Sequence, residues 1–234
     1  MKKLKNLCIL IRALIPSLWI NFKYLPFRQA IKLPILVYKP RFLRLKGSIK
    51  IESENIYFGM IKMGFLKTVI YPNNGITLKI DGSLVFKGKA VIGNDTYIVC
   101  GKNGKIVFGE DFRINADAKI ISQCGITFGK EVSVGCACFI IDSNFHPLYD
   151  MEKKKFKKAF GKIIIGDNNW FGTQCFIMPS VVTPERCIFG ARTVVTRGGK
   201  YEPYCVHGGS PVRVLSRNVM RIIGQDSVKD YSIE

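Results

Sequence analysis

Cut every six positions, residues 165–195 read IGDNNW FGTQCF IMPSVV TPERCI FGARTV V. Ile165, Phe171, Ile177, Phe189 and Val195 head these hexads, and Gly166, Gly172 and Gly190 follow three of them. A helix repeats its apolar face every 3.6 residues and a half-buried strand every second residue. A step of six fits neither. It fits a short strand plus a turn, used repeatedly. A glycine after the apolar head marks a tight corner, where positive φ or close approach of another backbone excludes a side chain. Three hexads make one triangular coil. Thr183 lies one coil after Ile165 (183 − 165 = 18) and brings Thr183–Pro184 where an apolar–Gly pair is due, so that corner is irregular.

The same step runs upstream through Ile80, Phe86, Ile92 and Ile98, then Phe108, Ile114, Ile120 and Ile126, then Phe128, Val134 and Ile140. From Phe128 to Ile165 the interval is 165 − 128 = 37, which leaves 37 − 18 = 19 residues beyond one coil. A stack of coils admits such an insertion only as a loop projecting from a corner, here residues 142–161. The loop opens with Asp142-Ser143-Asn144-Phe145-His146-Pro147 and carries Lys153, Lys154, Lys155, Lys157 and Lys158. A β-sandwich would instead show longer runs of period-two alternation. The sequence therefore predicts an all-β solenoid, a parallel β-helix over 46–212. A basic amphipathic arm, 1–45, precedes it, and a helical tail, 213–234, follows.

Composition narrows the partners. The 234 residues are 47% hydrophobic and 23% charged, enough for a packed core and too few charges for disorder. Thirty-six Lys and Arg against 17 Asp and Glu give a net charge of +19, which calls for an anionic partner: nucleic acid, anionic lipid, or a phosphate-rich cofactor or substrate. No nucleic-acid-binding motif accompanies the charge, so nucleic acid is not expected. The eight cysteines include no Cys-x-x-Cys pair, which points to reduced core residues of a cytoplasmic protein and not to a metal site. Leu7 to Phe22 is mostly apolar and follows Lys2, Lys3 and Lys5. Arg12 interrupts the run, no small-x-small cleavage site follows, and the stretch falls short of the ~20 residues of a spanning helix. It reads as a segment lying peripherally on the inner membrane face or packing on the domain.

The stretch from Ile163 to Leu215 resembles the hexapeptide-repeat acyltransferases, sugar and xenobiotic O-acetyltransferases among them. The matching marks are Ile165-Gly166-Asp167-Asn168, Trp170-Phe171-Gly172, Phe189-Gly190-Ala191 and Gly209-Ser210-Pro211. Asp142 to Leu148 is similar to the family's His-Pro active-site loop. The resemblance implies a left-handed β-helix, acetyl-CoA as donor, and a homotrimer with active sites between subunits. Two departures stand out. Pro184 occupies a usual glycine position, and Arg197-Gly198-Gly199-Lys200 replaces the usual basic–Asp segment.

Acyl transfer to a sugar hydroxyl needs a base, donors for the developing oxyanion and a positioned thioester. The resemblance makes His146 the base. His207, the other histidine, reads as a surface or packing residue. Asp142 or Asn144 would orient the imidazole, or would cap the loop. Asn115 stands where later coils have glycine and matches the family's acceptor-binding asparagine, the alternative being a left-handed turn residue. Gly172 and the Thr173 N–H match the oxyanion corner. Trp170 lines the CoA channel or covers a corner. Ala191 would meet the pantetheine arm, and Thr196 belongs to the same donor set. Arg192, Arg197, Lys200 and Arg213 are candidates for the CoA phosphates. The lysine run is a solvated loop or a contact for an anionic acceptor, such as a lipid-pyrophosphate-linked sugar or an acidic polysaccharide.

The function expected is transfer of acetyl to a sugar hydroxyl in surface-polysaccharide assembly. A chloramphenicol- or streptogramin-type drug acetyltransferase is the alternative. A γ-class carbonic anhydrase is disfavoured, because its zinc takes three histidines and this chain has two.

Overall fold

The computed structural model describes residues 2–222, with side chains from Arg12 onward. Short strands go in turn to three parallel sheets, the faces of a triangular prism. Ile35–Val37, Pro40–Leu45 and Ser48–Ile51 supply faces one, two and three of the first coil. Later coils keep that order: Ser133–Val134, Phe139–Ile141 and Ile163–Ile165, then Trp170–Phe171, Phe176–Ile177 and Val182–Thr183. Ile188–Phe189 and Val194–Val195 extend faces one and two once more.

The heads of the hexads stack along the prism. Ile114 pairs with Ile92 on one side and Val134 on the other, and Phe171 with Val134 and Phe189. These residues fill the interior, where Ile80, Phe86, Ile92, Phe108, Ile114 and Ile120 are fully buried. Phe86, Phe108 and Phe128 form a ladder with centroids 4.8 and 5.8 Å apart. Each such side chain contributes roughly 1.5–3 kcal/mol by leaving water, so the repeat is itself the core.

The corners divide two tasks that the sequence reading had given to one glycine. Gly135 and Gly172 do not have positive φ. They are needed for close approach: a Cβ on Gly135 would lie 2.7 Å from the Gly172 carbonyl carbon, and one on Gly172 would lie 2.8 Å from the Ala191 nitrogen. Positive φ falls two residues further on, at Ala137, Gln174 and Arg192, and likewise at Asp117, Glu131, Asn168 and Arg186. Asn115 is therefore not the left-handed residue of its turn; Asp117, with φ 59°, is.

Both ends differ from expectation. The first coil starts at Ile35, ahead of residue 46. Ile35 pairs with Ile61, 26 positions on (61 − 35 = 26), because connecting segments lengthen that coil and hide its step of six. At the other end Arg213–Arg217 is a strand and not the start of a helical tail; residues 223–234 lie outside the described residues. It runs antiparallel to Cys205–Gly208 and covers an edge that would otherwise leave backbone groups unpaired.

Helix α1 (Lys2–Tyr24) closes the N-terminal end. Val37 N–H donates to Ser17 Oγ at 2.9 Å, Ile35 N–H donates to Asn21 Oδ1 at 3.1 Å, and Asn21 Nδ2 donates to the Ile35 carbonyl at 2.7 Å. Side chains thus take the place of the missing neighbouring strand. Of the two roles considered for this arm, one face packs on the domain. No helix among the described residues is long and apolar enough to cross a membrane.

Candidate active site

The extruded loop leaves face two after Phe139–Ile141 and returns to face three at Ile163–Ile165. Its base is spliced to the prism by Asp142, which is fully buried. The carboxylate accepts from Ser122 Oγ at 2.7 Å and from the N–H groups of Gln123, Cys124 and Gly125 at 2.6, 3.0 and 2.7 Å. Asp142 is therefore occupied with backbone and makes no bond to His146, so the capping role is the one it fills.

Beyond Asp142 the loop is a ribbon. Asn144 N–H donates to the Ala159 carbonyl at 2.7 Å, and Tyr149–Asp150 pairs antiparallel with Lys155–Phe156. Near its base the ribbon turns sharply just before the histidine. Phe145 N–H donates to Ser143 Oγ at 3.0 Å, His146 N–H donates to the Asn144 carbonyl at 2.7 Å, and Phe145 has φ 59°. A bulky residue held at positive φ is strained, a condition that gathers at functional sites. The turn presents His146 and Asn144 to a cleft of about 820 Å³ between loop and prism. Lys153, Lys155, Lys157 and Lys158 line it from the loop, and Met178, Ser180, Thr196 and Arg197 from the prism.

The other predicted residues gather elsewhere. Trp170, Gly172, Thr173 and Ala191 line a second, mostly apolar cleft of about 490 Å³, with Ile188, Val206 and Met220. Arg221, which the repeat pattern gave no reason to single out, lies over the Trp170 ring at 5.0 Å. Thr173 and Ala191 follow face-one strands, whereas Met178 and Thr196 follow face-two strands. The two clefts therefore sit at different corners of one prism. A face about five residues wide separates them, on the order of 15 Å.

The four basic candidates are divided in the same way. Arg192, at the first corner, donates from Nε to Gln174 Oε1 at 2.8 Å, whereas Arg197 lines the histidine cleft. Lys200 is exposed in the connection beyond Thr196, and Arg213 is exposed in the returning strand. Asn115 is exposed at the first corner, its neighbours in the column being Gly93 and Gly135. Tyr71 reaches the same corner from a segment outside the repeat. Partial burial, then Cys136 and Asp117, push its phenol above the ordinary range. No periodicity marks that segment, which is why sequence reasoning passed over it.

His207 is buried in the last face-one strand, stacked on Phe189 at 5.2 Å and edge-on to Tyr201 at 5.7 Å. Its Nε2 accepts from Glu202 N–H at 3.1 Å. It is a packing residue. Among the described residues no group of three His, Cys, Asp or Glu is placed to hold a metal ion.

No protein-family model matches the chain. It is 25% identical over 124 residues to the polysialic acid O-acetyltransferase of Escherichia coli O1:K1 / APEC, covering 53% of this chain and 40% of that one. It is 28% identical over 138 residues to the galactoside O-acetyltransferase of Escherichia coli (strain K12), covering 59% and 65%. The chain thus spans less than two thirds of the length of either curated relative. Among solved structures it is similar to the polysialic-acid-specific acetyltransferase NeuO, with a TM-score of 0.54 and 16% identity over 81% of this chain and 92% of that one. The fold is the left-handed parallel β-helix, and the chain is similar in sequence to named sugar and polysialic acid O-acetyltransferases.

Proposed function

We propose that this protein is an acetyl-CoA-dependent O-acetyltransferase acting in the cytoplasm on a sugar hydroxyl of a negatively charged glycan, in surface-polysaccharide assembly, as a homotrimer. The observation that carries the reading is the cleft where His146 stands among four loop lysines. A cationic wall beside a base fits an anionic sugar chain. An uncharged drug would gain nothing from it. The named activities of both curated relatives support the class of reaction.

The second cleft suits the donor. It is the smaller of the two and largely apolar, and Gly172 and Gly190 leave backbone bare beside Thr173 and Ala191, which fits the thin amide-bearing arm of pantetheine. In the step proposed, His146 takes the proton of the acceptor hydroxyl as that oxygen attacks the thioester carbonyl. The Thr173 N–H stabilises the oxyanion. Collapse breaks the carbon–sulfur bond, and the imidazolium returns its proton to the leaving thiolate. Arg192 serves the CoA phosphates. Base and oxyanion donor lie at different corners of one chain, so a working site needs the loop of one copy against the donor corner of another. That requirement supports the trimer.

The test is thiol release from acetyl-CoA with a panel of acidic and neutral glycans. Acidic acceptors should give the higher rates, and His146→Ala should lower kcat by about 10²–10⁴-fold with little change in acetyl-CoA affinity. Turnover near that of the parent in the variant would remove His146 from the chemistry.

A further inference from the structure

Helix α1 is buried on one side and apolar on the opposite, exposed side. Ala13, Ser17, Ile20 and Asn21, at i, i+4, i+7 and i+8, are buried against the first coil. Ile15, Leu18, Trp19 and Phe22, at i, i+3, i+4 and i+7, form a second stripe about half a turn round, exposed to solvent. Ile15 is 78% exposed, and Phe27, at the start of α2 (Phe27–Ala30), is 70% exposed. Phe22 and Phe27 rings lie 6.3 Å apart, and Trp19 packs on Phe42 at 5.2 Å, so the stripe continues onto neighbouring segments. A helix whose inner side is already packed and whose outer side is apolar presents a surface for a second partner.

Charge says which partner. Residues 1–51 contain twelve Lys and Arg and no Asp or Glu, the first acid being Glu52. Arg12, Lys23, Arg28 and Lys32 are exposed around the apolar stripe, and Lys23 lies over the Trp19 ring at 4.6 Å. An apolar stripe with aromatic residues and a rim of cations is the chemistry of an anionic lipid surface: rings and aliphatic chains enter the headgroup region while lysine and arginine meet lipid phosphates. A second copy of the chain would bring its own unbalanced positive charge to the contact.

We propose that the outer face of α1, with Phe27 of α2, docks the protein on an anionic membrane. The helix closes the end of the prism, so docking stands the prism on the bilayer. His146 follows the fifth face-two strand, four coils above the first. At about 4.8 Å per coil plus a helix diameter of about 10 Å, the histidine cleft sits roughly 30 Å from the surface. A lipid-linked glycan would then be reached several sugars out from its anchor, not at the first sugar. That consequence rests on the proposed function; the docking does not, and the two fail in separate assays.

The full-length chain would be co-sedimented with vesicles of pure phosphatidylcholine and of an equal mixture with phosphatidylglycerol. Binding should be at least about tenfold tighter to the mixture and should weaken with salt. Trp19 emission, read in a Trp170→Phe background, should shift to the blue on binding. Ile15→Glu combined with Phe22→Glu, both at exposed positions, should lower binding at least about tenfold, as should Arg28→Glu with Lys32→Glu, with circular dichroism unchanged. Equal binding to both vesicles, or parental binding by both variants, would overturn the proposal. So would an apolar-stripe variant that dissociates an oligomer without altering vesicle binding, which would give the face to a second copy.

Discussion

The corner after face one and the corner after face two are made from the same hexad and have diverged in use. The first keeps its glycine column through Gly135, Gly172 and Gly190, and at Gly135 and Gly172 the next backbone closes in with no room for a Cβ. Its glycines leave main-chain groups bare, with Asn115 standing exposed in the column and Trp170 and Arg192 beside it. The second has Met178-Pro179-Ser180 in place of an apolar–Gly turn and, one coil earlier, the extruded ribbon with His146. A corner closed by backbone contact fixes a ligand's position. A corner opened by an insertion has space for side chains that differ from one chain to the next. The clefts follow that division: the first smaller and apolar, the second lined by lysines and a histidine.

What lets the second corner open is Asp142, and the comparison breaks most visibly there. Three backbone N–H groups and a hydroxyl converge on its buried carboxylate. Asp142→Ala leaves them unpaired, at a cost of about 3 kcal/mol or more. At ~2–4 °C per kcal/mol for a chain of this size, the melting temperature should fall by roughly 6–12 °C in scanning calorimetry. If Asp142 instead served the imidazole, kcat would drop while the melting temperature stayed put.

A smaller effect distinguishes the regular prism from the loop. Burial lowers the pKa of His207 below the ordinary imidazole value of about 6.5. The folded protein therefore prefers the neutral ring, so this contribution to stability is complete above the unfolded value and is lost as pH falls through and below 6.5. The melting temperature should decline on acidification from pH ~7 to ~5, and His207→Phe should flatten that slope. An unchanged slope in the variant would place the acid-sensitive group elsewhere.

Most of the prism was legible because its core is its repeat. Ile80 to Val195 shows the step of six, and those residues are the interior. The first coil was not, since its connecting segments push Ile35 and Ile61 out of step. The returning strand at Arg213–Arg217 was missed because it carries no hexad; it is there to cover an edge. Of the two reasons given for the glycines, close backbone approach holds and positive φ does not, since the positive φ sits two residues later, on Ala137, Gln174 and Arg192 among others. For the site, the sequence marked the loop, its histidine and the corner proposed for the donor. The clefts that hold them apart depend on which face each hexad occupies, which the notation of a linear period does not display.

One mixing experiment tests whether the two separated corners combine across subunits. His146→Ala removes the base at one corner, and Ala191→Trp, at an exposed position, fills the cleft at the other. Each variant alone should be inactive in acetyl-CoA thiol release. If every site joins the loop of one copy to the donor corner of another, subunits mixed in equal amounts and refolded together will form some sites with both halves intact. Random assembly predicts recovery of about one quarter of the parental rate. A mixture no more active than its two separate components would contradict the shared site and return both halves to a single chain.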